Sequence, residues 1–165
     1  MKGISRGTRE ALATVQLNPI SAQPVIATGS WRGYPARYEE IQVHHHRGRS
    51  LLTLLVMQRQ SHAILALRAV HHQGAGPPTL PRVYTADADF DARFQVFAHG
   101  PAAQAVLRDP RFRLAVTGGR RRGRPGEILS LDMEATQTRI TISGWSPPPA
   151  ILRSALELAA NVPES

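Results

Sequence analysis

The sequence predicts an α+β fold: a single domain with a mainly antiparallel sheet, a central kinked helical element and a C-terminal helix packed on one side. Three observations carry that prediction. Apolar residues alternate with polar ones near 41–45 and again over 129–142, the two-residue period of strands. Gly100-Pro101 and Asp109-Pro110 each put a proline where a helix can start, since a first-turn N–H has no intrahelical partner to lose. Ile151, Leu152, Ala155, Leu156 and Ala159 recur at the spacing of one helical face. A chain of 165 residues fits one domain that buries about two-thirds of its unfolded surface.

Taken in order, residues 1–28 are poorly patterned, and Pro19 and Pro24 exclude a long helix; they read as a loose N-terminal arm before a domain over 29–165. Gly29-Ser30-Trp31-Arg32-Gly33-Tyr34-Pro35 is a turn-rich approach to a strand in which Ile41, Val43 and His45 alternate with Gln42, His44 and His46. Arg47-Gly48-Arg49-Ser50 makes a turn, and residues 51–57 form a second strand buried on both faces. Residues 62–70 form a third. A single helix over 50–70 is the competing reading, because periodicity does not separate short apolar strands from buried helix. Gln58-Arg59-Gln60-Ser61 breaks the apolar run and favours a hairpin.

A Gly/Pro-rich connector over 73–82 links the two halves. Beyond it Phe94, Val96 and Ala98 share one strand face, and the kinked helical element runs from Pro101 towards Gly118-Gly119. Leu129, Leu131 and Met133 then face Ile140 and Ile142 across a hairpin turning at Ala135-Thr136. Ser146-Pro147 is an N-cap signal for the closing helix, in which Arg153 and Glu157 stand at pairing distance i,i+4. Phe90, Phe94, Val96, Leu107, Phe112, Ile140, Ile142, Leu152 and Leu156 are the expected core.

Composition removes several function classes. Without cysteine there is no disulfide, thiolate nucleophile or Cys-based metal centre. No apolar run approaches the ~20 residues of a membrane span, and the start lacks a signal-peptide core, so the expected location is cytoplasmic. The net charge of +8 favours an acidic partner, but only Lys2 among the twenty basic residues is a lysine, a skew that GC-rich coding also produces. The excess is uneven: residues 1–83 carry a net +7, and residues 84–165 a net +1.

Four constellations bear on chemistry. His44 and His46 share a strand side and would chelate a metal with His71 and His72, yet no carboxylate stands at ligand spacing and Arg47 and Arg49 repel a cation. A solvated hairpin tip is the favoured reading, with no metal and no cofactor expected. Asp87-Ala88-Asp89-Phe90-Asp91 opens like a calcium loop but has Ala92 at the glycine position and Ala98 at the bidentate position, so it reads as a cap and acidic turn. A non-local enzyme site would have to gather several of His62, His99, Asp91, Asp109 and Glu127 in one pocket. No local catalytic motif occurs, and no catalytic residue is assigned.

The fourth is the loop carrying Arg120, Arg121, Arg122 and Arg124. Arg122-Gly123-Arg124-Pro125 resembles the core of an AT-hook, whose arginines enter the narrow A·T minor groove. It lacks that motif's preceding proline and following basic residues. These four arginines are the candidate nucleic-acid contacts, acting chiefly on phosphates.

Phe90-Asp91-Ala92-Arg93-Phe94-Gln95-Val96, then residues 103–112, with Gly29-Ser30-Trp31-Arg32-Gly33-Tyr34-Pro35 upstream, resemble a family of uncharacterised bacterial proteins, many of them membrane-anchored. The resemblance covers roughly residues 29–160 and implies a short helix, a hairpin and a closing helix after the Phe-Asp-x-x-Phe-x-Val block. It implies no activity. The function expected is a non-catalytic interaction or scaffold domain binding a protein partner or a second copy of itself, with peripheral contact to a membrane complex left open. Nucleic-acid binding through the arginine loop 120–124 and the basic N-terminal half is the alternative.

Overall fold

Nine strands form one antiparallel sheet in the computed structural model, which describes residues 3–72, 79–118 and 124–161. In chain order the elements are α1 (Arg6–Thr14), β1 (Leu17–Ala22), β2 (Val25–Trp31), β3 (Tyr34–His45), β4 (Gly48–Gln58), β5 (Ile64–Ala69) and β6 (Arg82–Val83). There follow α2 (Ala88–Arg93), β7 (Phe94–His99), α3 (Pro101–Arg108), α4 (Pro110–Thr117), β8 (Ile128–Met133), β9 (Gln137–Ser143) and α5 (Pro149–Ala160). The sheet order is β1-β2-β3-β4-β9-β8-β5-β7-β6. The α+β expectation holds.

Register sorts the side chains by face. Tyr38, Leu55, Ile140 and Leu131 are paired in sequence across β3, β4, β9 and β8, and Leu67 and Val96 continue the row through β5 and β7. All six are essentially inaccessible. The helices cover this face: α5 lies against β4 and β9, α3 against β5 and β7, and α5 also touches α1 and α4. The opposite face carries Arg37, Glu39, Arg68, Asp132 and Arg139, the polar alternation of a sheet facing water on one side. Every residue of the expected core is buried, Phe94 and Leu152 completely.

Residues 1–28 are not a loose arm. Ser5 Oγ accepts from the Thr8 N–H at 3.2 Å and starts α1, whose Ala11 and Leu12 are buried. Pro19 follows that nine-residue helix rather than interrupting it, so the prolines limit its length without forbidding it. β1 and β2 then pair as a hairpin.

The stretch 50–70 is two strands, but they do not pair with each other. β4 lies between β3 and β9, and β5 between β8 and β7. The link over 59–63 passes the β8–β9 turn instead, with Arg59 N–H donating to Thr136 O at 3.1 Å and Ser61 N–H to Ala135 O at 3.0 Å. Three strand spacings amount to about 14 Å, within reach of a five-residue link.

Smaller differences have local causes. A bulge between Ile128 and Ser130 puts Ile128 on the core face with Leu131 and Met133, so the strict alternation from Leu129 fails. The buried face of β3 is Ala36, Tyr38 and Glu40, and Val43 is 40% exposed where the β3–β4 ribbon extends past β2 and β9. Ser146 does not cap α5; Pro148 occupies the N-cap without a side-chain bond. The kink between α3 and α4 is where it was expected, with Asp109 Oδ1 accepting from the Arg111 N–H at 2.9 Å.

Candidate functional site

Of the four candidate arginines, Arg120, Arg121 and Arg122 lie outside the described residues. Arg124 is exposed, and its carbonyl accepts from Ser143 Oγ at 2.8 Å, which ties the loop end to β9. The histidines are divided. His44 and His45 sit at the β3–β4 tip, bonded to Gln42 at 3.2 Å and to Ser50 at 3.1 Å, while His71 and His72 follow β5, three strand positions away from β4. Desolvation holds His72 below the ordinary histidine range, with the neighbouring His71 and Arg68 acting in the same direction.

Of the five titratable residues of the non-local enzyme reading, the three carboxylates serve local contacts. His62 and His99 are exposed. Asp91 accepts from the Thr85 N–H and from its hydroxyl at 2.9 Å. Asp109 caps α4 and pairs with Arg111 at 3.1 Å. Glu127, 1% exposed, meets His71 at 3.1 Å and Arg93 at 3.6 Å, contacts that join the start of β8 to the ends of β5 and α2. Asp87 is similarly employed, accepting from the Phe90 N–H at 3.1 Å and from Arg113 at 3.1 Å.

Among the described residues, two grooves have the form of binding sites. The first lies in the helical layer, about 840 Å³ between α3–α4 and α5, with Val106, Phe112, Ala115 and Leu158 among its apolar lining. Charges stand on its rim: Asp109 and Arg111 on one wall, Arg153 and Glu157 on the other. The expected Arg153–Glu157 pair does not form. Glu157 instead accepts from Arg32 at 2.7 Å, Trp31 Nε1 at 3.0 Å and Asn161 at 2.9 Å, and Arg153 lies over the Trp31 ring at 5.9 Å. The β2–β3 turn brings a guanidinium closer to Glu157 than its own helix does. The Arg32 hydrogen bond holds the Glu157 carboxyl below the usual carboxylate range. Leu114, 67% exposed, stands on α4.

The second groove, about 650 Å³, opens between the start of α1, the β1–β2 turn, β3 and the segment after β9. Its floor is Glu40, only 6% exposed. Glu40 Oε2 accepts from Tyr38 Oη at 2.6 Å, from the Ser146 N–H at 2.9 Å and from Ser146 Oγ at 3.3 Å. Ser146 Oγ also shares a hydrogen bond with Thr8 Oγ1 at 2.6 Å, which continues to Ser5 Oγ at 2.7 Å. Ser146 adopts φ of 51°, a conformation uncommon for residues with a Cβ, and this turns both its donors onto the carboxylate. Burial, followed by the Glu40 carboxylate, pushes the Tyr38 hydroxyl far above its usual range. Trp145, 40% exposed, forms one wall, its Nε1 donating to Ile41 O at 2.8 Å.

None of Tyr38, Glu40 and Trp145 figures among the residues singled out from the sequence, and Ser146 was singled out only as a helix cap. The available signal was the two-residue step Ala36, Tyr38, Glu40, which places a carboxylate on the buried side of β3. The apolar Ile41 and Val43 masked it by presenting the other face.

No protein-family model and no curated protein matches the chain. Among solved structures it is similar in fold to the crystal structure of the mycobacterial trehalose monomycolate transport factor A, TtfA, with a TM-score of 0.58 at 12% identity, over 98% of this chain and 99% of that one.

Proposed function

We propose that this chain is a non-catalytic interaction domain that binds a protein partner through the groove between α4 and α5. The observation that carries the reading is the groove's construction: an apolar floor of Val106, Phe112 and Leu158 inside a charged rim. That is the anatomy of a protein interface, and a channel between two helices suits the apolar face of a third. The fold shared with a protein described as a transport factor supports a role in service of other components rather than a reaction. Membership of the uncharacterised, often membrane-anchored bacterial family is a proposal of the same kind. Among the described residues no helix is long and apolar enough to cross a membrane. Nucleic-acid binding rests on four arginines of which three lie outside the described residues, and it stays with the sequence alone.

The test is an Ala150→Glu/Arg153→Glu variant, since both side chains are exposed and line the groove. A partner captured by the wild-type chain should bind at least about tenfold more weakly, the loss of roughly 1.4 kcal/mol. Sedimentation of both proteins identifies the case in which the partner is a second copy. Undiminished capture or self-association by the folded variant would remove the groove from the interface.

A further inference from the structure

We infer that the groove over Glu40 is a binding site for an organic cation of the alkylammonium class, a site distinct from the helical-layer groove. The inference starts from an imbalance. Glu40 is 94% removed from solvent, being 6% exposed, yet among the described residues no guanidinium, ammonium or imidazole pairs with it. Its donors are neutral, and all of them reach Oε2. Oε1 accepts nothing from the described residues, although Glu40 lines the groove. A buried carboxylate held by hydrogen bonds but without an opposing charge leaves a large part of its desolvation cost uncompensated.

The rest of the lining has the same polarity. Ser5, Gln23 and Gln42 supply neutral oxygen acceptors. None of the described lining residues is basic, in a chain whose net charge is +8. The Trp145 wall supplies what an ammonium group gains beyond the carboxylate, because the negative face of an indole attracts a cation. The hydrogen bond from its Nε1 to Ile41 O holds that ring in place before any ligand arrives. A neutral polyol would find hydroxyl partners here too, but would leave the Glu40 charge uncompensated. An ammonium N–H donating to Oε1 answers both needs with one charge-assisted bond.

The same chemistry is found on a free polyamine and on a lysine side chain, and the experiment separates them. The indole N–H resonances of Trp145 and Trp31 are assigned with a Trp145→Phe variant. The wild-type protein is then titrated with spermidine, with Nα-acetyl-lysine amide and with a neutral disaccharide. Saturable movement of the Trp145 resonance by an amine, and none by the sugar, is the expected result. Spermidine binding alone assigns the site to small amines, and comparable binding by the lysine derivative assigns it to a partner's side chain.

Glu40→Gln should weaken amine binding at least about tenfold, as loss of a charge-assisted bond implies. Because Glu40 also organises Ser146 and Tyr38, a second variant guards against misfolding: Gln42→Lys places a cation at the groove edge and should displace the ligand without touching that network. The inference is overturned if no amine moves the Trp145 resonance, if the disaccharide moves it equally, or if folded Gln42→Lys protein retains wild-type affinity.

Discussion

Phe94 and Gly29 show at single positions what the fold requires. Phe94 is fully buried, stacked on Phe90 with ring centroids 5.1 Å apart. Phe94→Ala should cost about 3–5 kcal/mol, read as a lowered urea midpoint; an unchanged midpoint would mean that the side chain is not a core anchor. Gly29 pairs with Leu17 and Ala36 on the covered face, and a Cβ there would press into the backbone oxygen of Gln16. Gly29→Ala therefore needs the α1–β1 link at Gln16 to move away from β2, at about 1–3 kcal/mol. A melting temperature equal to wild type would contradict so close an approach. The phenylalanine was legible because large apolar residues at strand spacing have few other uses. The glycine looked like one turn residue among several, since the oxygen it avoids belongs to another element.

At the scale of elements, helix starts and their carboxylates set the response to acid. The Asp87 carboxyl is held below the ordinary range first by the Phe90 N–H at the start of α2, and the Asp109 carboxyl first by the Arg111 side chain at the start of α4. Glu157 is depressed likewise by Arg32. A carboxylate whose pKa is lower when folded than when unfolded stabilises the fold above the unfolded value and loses that contribution as the pH falls through the folded one. Thermal stability should accordingly hold at neutral pH and fall below about pH 4. Asparagine keeps the capping geometry without the charge or the titration, so Asp87→Asn/Asp109→Asn should melt below wild type at pH 7, with a shallower acid decline that brings the two proteins together at low pH. An identical acid decline would assign the loss to other groups. The proline-started helices, the β8–β9 hairpin and the face of α5 were all readable because their signals are local. α1 was not, since its short amphipathic pattern gains its stability from packing on β1 and α5.

For the whole molecule, the decisive feature is that the last hairpin fills the middle of the sheet. β9 and β8 stand between β4 and β5, so the first five strands cannot form one sheet until the C-terminal third is present. A fragment of residues 1–118 should leave the edges of β4 and β5 unpaired and unfold without a cooperative transition. A sharp urea transition for that fragment would show the N-terminal strands to be independently stable. Pairings this distant in sequence, Leu55 with Ile140 among them, also place the intact chain with slow-folding β topologies.

The sequence alone determined the α+β class, the nine principal core residues, the proline-started helices and the closing hairpin. Each rests on propensity or periodicity within about a dozen residues. Tertiary structure alone decided the rest. It separated β4 from β5, transferred Glu157 from its helical neighbour to Arg32, and buried Glu40 beneath Ser146 and Trp145. Strand order and the surroundings of a side chain depend on which distant segments meet, and no local pattern encodes that. Both candidate grooves are made of such meetings, which is why the scaffold could be read in the sequence and the sites could not.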